Sequence, residues 1–237
     1  MLAAALPEWS MEVLLQDAAI PQQLAQALAT RGAVVIRQGL PLDLISRWLP
    51  RFQAGFAAAD AQFLTGQMPL HLYQNLYQYG HVYPAEIEGY AQWHQELLRY
   101  APFRQLLRHV MGPECALMLQ HSYPRRQGRY AEHAIAWHQD AQFLGPLPVV
   151  NTWIPLTPAG GDYPGVAFGE PESFVVPVLQ PGDLLLFHAF TPHRTHLPTG
   201  CQQERISGEL RWLKSEAFSQ THSPLQRVNL SEDADFV

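Results

Sequence analysis

Apolar residues in the first half of the chain recur mostly at helical spacing. Between Pro41 and Asp60 they fall three or four positions apart and the proline stands first, which predicts an amphipathic helix. Pro21 to Thr30 has the same character, and Ile87 to Val110 continues it with a break near Pro102. The exception is Gly32 to Arg37, whose unbroken apolar run predicts a buried strand.

The pattern changes near residue 113, from helical spacing to short strands separated by glycine and proline turns. The segments that predict strands are Cys115–Leu119, Val149–Ile154, Ser173–Val178, Leu184–Phe187 and Arg205–Leu213. The last of them alternates, with Ile206, Leu210 and Trp212 on one side. Short strands at regular spacing are typical of a sandwich or barrel, so the predicted fold class is α+β.

Composition narrows the classes of function. The chain has 237 residues, of which 47% are hydrophobic and only 15% charged, so we expect a sizeable core. The length allows one large domain or two small ones, and we expect a single domain over 1–237. The net charge is −6 and no basic run is longer than Arg125-Arg126, which indicates no nucleic-acid partner. Two cysteines, no signal-peptide pattern and no apolar run of membrane length predict a cytoplasmic protein without a membrane partner.

The tripeptide His138-Gln139-Asp140 is the first sign of chemistry. In an extended segment residues i and i+2 point to one face, so an imidazole nitrogen and a carboxylate oxygen would converge. Such a pair and a distant histidine make the facial triad of non-haem Fe(II) oxygenases. The chain also contains His94-Gln95-Glu96 in a helical region. Residues two apart on a helix point away from each other, so we expect His94 and Glu96 to be solvated or capping residues.

A third ligand must come from further along the chain. Between the last two predicted strands lie three histidines, His188, His193 and His196. His188 follows a strongly apolar run, which favours a buried structural role. Arg205 begins the last strand, and Ser207 lies on the same face. A buried arginine is costly without an anion, and a dicarboxylate would supply one through a planar two-point contact.

Several short motifs occur in order along the second half of the chain. They are His138-x-Asp140, Asn151-x-Trp153, Pro181-Gly-Asp-x-x-x-Phe-His188, His193 and Arg205-x-Ser207. This ordered set resembles the phytanoyl-CoA dioxygenase family of Fe(II)/2-oxoglutarate-dependent oxygenases. The resemblance implies a double-stranded β-helix, or jelly roll, over about 113–215, with a helical N-terminal part of about 1–112 packed outside it and a C-terminal tail.

Carried over residue by residue, the resemblance implies that His138, Asp140 and His193 are catalytic residues that bind the metal. It selects His193 by its spacing from the histidine of the Phe-His element. Arg205 would bind the far carboxylate of 2-oxoglutarate. The other candidates for the cosubstrate site are Thr195, which matches a hydroxyl position that assists this contact, Trp153 and Asn151, which match pocket positions, and Ser207, on the face of Arg205.

The implied activity is that of a non-haem Fe(II)/2-oxoglutarate-dependent dioxygenase that hydroxylates a small molecule, consumes O₂ and releases succinate and CO₂. The carboxylate of Asp140 favours hydroxylation, since related halogenases have a small residue there. Two alternatives stay open. One is a cupin-like metal-dependent oxygenase that does not use 2-oxoglutarate, and the other is a non-catalytic jelly-roll binding protein.

Two segments allow two interpretations each. Leu72 to Tyr83 is rich in aromatic residues, which favours either packing around the barrel or a lid over the substrate. Arg125, Arg126 and Arg129 fit a solvated turn. If they instead face the mouth of the site, they would favour an anionic substrate.

Overall fold

The computed structural model describes residues 5–17, 19–128 and 135–231. Its α-helices are α1 (Met11–Gln16), α2 (Ile20–Arg31), α3 (Leu42–Leu64), α4 (Leu70–Tyr73), α5 (Tyr90–Arg99), α6 (Ala101–Met111) and α7 (Ala141–Leu144). A π-helical turn spans Gln74–Tyr79, and 3-10 turns span Pro84–Glu86, Leu119–His121 and Ser215–Gln220. Within these described ranges, no helix combines the length and the apolar character that a membrane span needs.

The strands form two sheets. They are β1 (Glu8–Ser10), β2 (Ala33–Arg37), β3 (Glu114–Met118), β4 (Tyr123–Gln127), β5 (Val149–Pro155), β6 (Gly165–Glu170), β7 (Ser173–Val175), β8 (Leu184–His188), β9 (His193–His196), β10 (Arg205–Lys214) and β11 (Leu225–Asn229). The large sheet has the order β1-β2-β8-β5-β10-β3-β11, and β4 also pairs with β10. The small sheet has the order β7-β6-β9. All pairs are antiparallel except β1 with β2.

The large sheet is buried on both faces, because helices cover one face and the small sheet covers the other. Alternation along β8 illustrates this. Leu184 and Leu186 pack in the core shared with the helices, whereas Leu185 and Phe187 pack with residues of the small sheet. The unbroken apolar sequence of β8 is therefore what a strand between two layers requires.

Strand β10 lies in the middle of the large sheet and sends its two faces into different surroundings. Its apolar side chains, Ile206, Leu210 and Trp212, pack with the helices, as the alternation predicted. Gly208 lies on the same face, and a Cβ there would be 1.9 Å from Trp93 Cη2 of α5, so only glycine lets that ring approach. The opposite face carries a row of polar side chains, Arg205, Ser207, Glu209 and Arg211, all buried on the side of the small sheet.

Most predicted elements are confirmed, and the differences follow from tertiary contacts. The long helix continues beyond its predicted end to Leu64, and the predicted strand at Ser173–Val178 ends at Val175. The interpretation of Arg125 and Arg126 as a solvated turn is wrong. Both lie in β4, and Arg126 is buried with Asp60, whose carboxylate oxygens lie 2.7 and 2.8 Å from its guanidinium nitrogens.

Three further predictions concern the C-terminal tail, Arg129 and the aromatic segment from Leu72 to Tyr83. The predicted C-terminal tail contains β11, which pairs with β3. Arg129 and the acidic residues at 232–237 lie outside the described residues. The aromatic segment contributes to the core through Leu76 and Val82, while Tyr73, Tyr79 and Tyr83 are exposed.

Candidate active site

His138 and His193 are brought together by backbone hydrogen bonds between two segments distant in sequence. The N–H of each residue donates to the C=O of the other, both at 3.0 Å, in an isolated antiparallel bridge. His193 is the first residue of β9, and His138 precedes α7. The ring centroids are 4.2 Å apart. The pairing therefore holds both imidazoles at one point between the two sheets.

Asp140 completes the group, although not through the extended backbone that its spacing from His138 suggested. Its φ of −59° and ψ of −28° are α-helical, and it begins α7. The turn into the helix brings Oδ1 to 3.6 Å from His138 Nε2 and 3.9 Å from His193 Nε2. One ligand atom of each residue lies within 4.8 Å of the others. This is the spacing that three ligands of one metal ion require.

Each histidine is oriented through its second ring nitrogen. His138 Nδ1 lies 2.8 Å from the carbonyl oxygen of Ala136, and His193 Nδ1 lies 2.9 Å from that of Thr191. A carbonyl oxygen only accepts, so each Nδ1 carries a proton, and in the neutral ring Nε2 then presents the lone pair. Burial lowers the pKa of His193 to about 4, partly offset by the charge of Asp140, which keeps that ring neutral. Imidazoles whose second nitrogen is held in this way are typical of metal ligands.

The carboxylate of Asp140 is fixed through the oxygen that faces away from the histidines. Oδ2 accepts from Arg211 Nε at 3.2 Å, Arg211 Nη2 at 3.1 Å and Asn151 Nδ2 at 2.8 Å. Burial would raise the pKa of Asp140, but the charge of Arg211 holds it well below its usual range. The group is therefore an ionised carboxylate with Oδ1 directed at the histidines.

Arg211 belongs to a longer chain of buried ion pairs. Its Nη2 donates to Glu209 Oε1 at 2.8 Å, and the other oxygen of Glu209 accepts from Arg125 Nε. Burial raises the pKa of Glu209, but Arg125 and Arg211 on either side bring it below its usual value. The chain Asp140–Arg211–Glu209–Arg125 thus balances two carboxylates with two guanidinium groups.

Arg205 lies at the other end of β10 and has no such balance. It is 2% exposed, and its guanidinium carbon lies 4.9 Å from the ring centroid of Trp153. Its Nε has no hydrogen-bond partner among the described residues, and none of their carboxylates forms an ion pair with it. Burial, with the nearby charge of Arg125, lowers the pKa of Arg205 to about 9. The guanidinium faces a cavity that also contains His138 and His193.

The other predicted cosubstrate residues are distributed around this cavity. Thr195 and Trp153 line it. Ser207 is fully buried beside them, and its Oγ has no partner in the described part of the chain. Asn151 has a different environment from the one expected, because its amide contacts Asp140.

The remaining histidines are separate from the metal-binding group. His188 and His196 are not part of the three-residue cluster found among the described residues. The expectation that His94 is solvated is wrong, because it is 3% exposed and packs against Tyr90. Glu96 points elsewhere and accepts from Trp48 Nε1 at 3.1 Å.

Arg211 and Glu209 are residues of the candidate site that the sequence analysis missed. Arg125 was considered there as a residue that could face the mouth of the site, and it lines the cavity at Arg205. The signal was present in β10, where polar residues occupy every second position from Arg205 to Arg211. A polar row on one face of a strand whose other face is apolar normally points to solvent. Here both faces are buried, so the same row indicates a polar site.

No family model and no curated protein sequence matches the chain. Its fold is nevertheless similar to those of solved structures. The non-heme alpha ketoglutarate dependent epimerase SnoN from nogalamycin biosynthesis is 16% identical, with 84% of this chain and 85% of that chain covered and a TM-score of 0.60. A Ni complex of the non-heme monooxygenase ThoJ is 14% identical, with 88% and 80% covered and a TM-score of 0.60.

A third similar structure is AviO1 from Streptomyces viridochromogenes Tue57, at 18% identity, with 81% of this chain and 91% of that chain covered and a TM-score of 0.56. The chain therefore has a fold that the alpha ketoglutarate dependent epimerase SnoN and the non-heme monooxygenase ThoJ also adopt. Alpha ketoglutarate is also called 2-oxoglutarate. These identities are low, so what the comparisons establish is the shared fold.

Proposed function

We propose that the protein is a non-haem Fe(II)/2-oxoglutarate-dependent dioxygenase that hydroxylates a small molecule. We also propose that its strands form a jelly-roll core within a single domain. The observation that carries the proposal is the convergence of His138 Nε2, Asp140 Oδ1 and His193 Nε2 next to a buried arginine that has no carboxylate partner among the described residues. Each half of that observation corresponds to one of the two groups such an enzyme must bind.

The three donor atoms fit Fe(II). Two neutral imidazoles and one carboxylate on one side of an ion are the ligand set of non-haem Fe(II) oxygenases and leave positions open for other ligands. The second ring nitrogens and the second carboxylate oxygen are all hydrogen-bonded, so the ligand atoms need little reorganisation. We infer that His138, Asp140 and His193 hold the metal.

The cavity at Arg205 fits 2-oxoglutarate. Its guanidinium would bind the far carboxylate, which would supply the missing anion and satisfy Nε. The ring of Trp153 holds the guanidinium plane in place, and the hydroxyl of Thr195 is a further donor in the same cavity. Ser207, with its unpartnered Oγ, lies beside it.

When bound, Fe(II) and 2-oxoglutarate supply the activation of O₂, and the chain positions them and limits access of water. Asp140 keeps one carboxylate among the metal ligands, which favours hydroxylation over halogenation. Arg211 holds the charge of that carboxylate and fixes its rotation, so Oδ1 stays directed at the ion.

The experiment is anaerobic addition of Fe(II) and then 2-oxoglutarate to the purified protein. We expect a weak visible charge-transfer band that requires both additions. His193→Ala should abolish it, and His188→Ala, a histidine outside the metal-binding group, should leave it unchanged. Metal retention without a band would favour an oxygenase that does not use 2-oxoglutarate, and neither band nor metal retention would favour a binding protein.

A second readout is turnover. Aerobic incubation with Fe(II) and 2-oxoglutarate should release succinate slowly even without substrate. Arg205→Ala should raise the KM for 2-oxoglutarate by about tenfold or more, the value of one charged hydrogen-bonded contact. An unchanged KM would contradict the assignment of Arg205.

A further inference from the structure

A second cavity adjoins the metal-binding group on a different side from Arg205. Its lining includes His138, Asp140 and Arg211, but neither Arg205 nor His193. Arg125 and His138 line both cavities. A molecule in the second cavity would therefore contact the ligands of the metal without displacing the diacid, which is the position that a substrate must take.

One part of this cavity is built of flat rings. Tyr79 and His81 stack at 6.1 Å and 17°, and His81 and Tyr123 stack at 4.5 Å and 21°. Phe143 of α7 also lines the cavity and is 74% exposed, although it is a large apolar side chain. Aromatic rings that line a cavity favour a planar aromatic ligand, by about two- to twelvefold in affinity for each ring pair.

The charges around the cavity favour an anion. Arg125, Arg211, Arg205 and Arg194 line the two adjoining cavities and carry four positive charges against the carboxylates of Asp140 and Glu209, which leaves two positive charges. A ferrous ion and a 2-oxoglutarate dianion cancel each other, so the excess is the same with and without them. Burial and the charge of Arg125 lower the pKa of His81 to about 3, so its ring adds no charge near neutral pH. A ligand with a negative charge would complement the site.

The cavity continues into a longer groove. His121 and Tyr123 line both, and beyond them the groove is lined by apolar side chains such as Tyr83, Ile87 and Leu119. The groove thus offers space and apolar surface to a molecule longer than one ring.

We call the second cavity and the groove together the cleft. We propose that its substrate is a planar aromatic compound of more than one ring that carries one anionic group. The anion lies toward Arg125, the first ring packs beside the stacked rings of His81 and Tyr123, and the remainder extends past His121 into the groove. That the ligand is the substrate rests on the proposed oxygenase function. Its binding does not, because the rings and charges belong to the chain itself.

The test is calorimetric titration of protein saturated with Ni(II) and 2-oxoglutarate. The probe is naphthalene-2-carboxylate. The controls are naphthalene-2-carboxamide, which has the rings without the charge, and decahydronaphthalene-2-carboxylate, which has the charge without aromatic rings. We expect the probe to bind at least about tenfold more tightly than either control, from combined stacking and charge. Equal affinity for all three compounds would overturn the proposal.

Variants locate the bound probe. Phe143→Leu keeps an apolar side chain but removes the ring, and His81→Ala removes part of the stack; each should weaken binding by about two- to twelvefold, the value of one ring pair. Phe190→Ala, an exposed phenylalanine outside both cavities, should leave binding unchanged. Loss of binding in Arg205→Met, with no effect of Phe143→Leu or His81→Ala, would place the probe in the diacid cavity and overturn the proposal.

The same titration on metal-free protein separates this proposal from the oxygenase function. Binding that His81→Ala weakens, in a protein that gives no charge-transfer band, would support the cleft and contradict the oxygenase. A band without such binding would support the oxygenase and overturn the cleft.

Discussion

The two ends of β10 bury arginines under opposite conditions. Arg211 is surrounded by carboxylates, with Asp140 and Glu209 both within 3.1 Å of its Nη2. Arg205 lies on the same face of the same strand, equally buried, and has a tryptophan ring but no carboxylate from the described part of the chain. A buried guanidinium is costly unless an anion compensates it. The difference supports the proposal that the charge of Arg205 is compensated by an anion from outside the chain.

The largest expected effect on stability comes from replacing Arg211, whose charge is compensated by Asp140 and Glu209. Arg211→Met would leave Asp140 and Glu209 buried with less positive charge, so we expect a loss of about 3 to 5 kcal/mol in unfolding free energy. Metal affinity should fall by about 10- to 100-fold, because Asp140 loses its fixed orientation. Urea unfolding and Ni(II) competition measure the two effects. Arg227→Met, at an exposed arginine, is the control, and a loss below about 1 kcal/mol at Arg211 would contradict the account.

Replacing Arg205 should not lower the free energy of unfolding. Arg205→Met removes a buried charge without separating it from a carboxylate, so we expect stability to stay the same or to rise by about 1 to 4 kcal/mol. Urea unfolding under the same conditions gives the comparison. Destabilisation as large as that of Arg211→Met would mean that Arg205 has a partner within the protein.

Bound 2-oxoglutarate should compensate the charge of Arg205 and thereby stabilise the protein. At a concentration one hundred times its Kd, 2-oxoglutarate should stabilise the metal-loaded protein by about 2.7 kcal/mol. For a chain of this size, that corresponds to a rise in Tm of about 5 to 10 °C. Thermal unfolding of the wild type and Arg205→Met in parallel measures it. A shift of the same size in the variant would place the diacid elsewhere.

His94 is a buried histidine outside the metal-binding group, and its burial makes the stability of the protein depend on pH. Burial lowers its pKa to about 4, and in the unfolded chain its pKa is about 6.5. Between these values the unfolded chain takes up a proton that the folded protein refuses, so stability falls as the pH drops from about 6.5 to 4. At pH 5 this contribution is about 2 kcal/mol.

Replacing that histidine should remove this part of the acid sensitivity. His94→Phe should therefore lose less unfolding free energy between pH 7 and pH 5 than the wild type, by about 2 kcal/mol. His222→Phe, at an exposed histidine, is the matched control. Identical pH profiles for His94→Phe and the wild type would show that His94 is not a buried neutral group.

The sequence predicted the elements whose local pattern agrees with their final surroundings. Strand β8 is apolar throughout, and β10 alternates on the helix side, so both were recognised. Strand β9, His193-Arg-Thr-His196, has no apolar residue and was missed. Strand β4 was taken for a solvated turn, because charged residues are normally solvated and only tertiary ion pairs explain their burial.

The residues of the candidate active site, like the strands, were predicted only where a local sequence pattern revealed them. The spacing of His138 and Asp140, together with an ordered resemblance, predicted the residues that the structure brings together with His193. The role of Arg211 could not be read from spacing, because it meets Asp140 across 71 positions. That contact exists only once β10 is placed beside the turn into α7.

The most direct test compares 2-oxoglutarate with 2-oxobutyrate, which has the same keto acid end but no far carboxylate. Both are titrated into Ni(II)-loaded wild type and Arg205→Met. The account predicts that the wild type binds 2-oxoglutarate at least about tenfold more tightly and that the variant binds the two acids equally. Equal affinity in the wild type, or a preference that persists in the variant, would contradict the claim that Arg205 awaits a diacid.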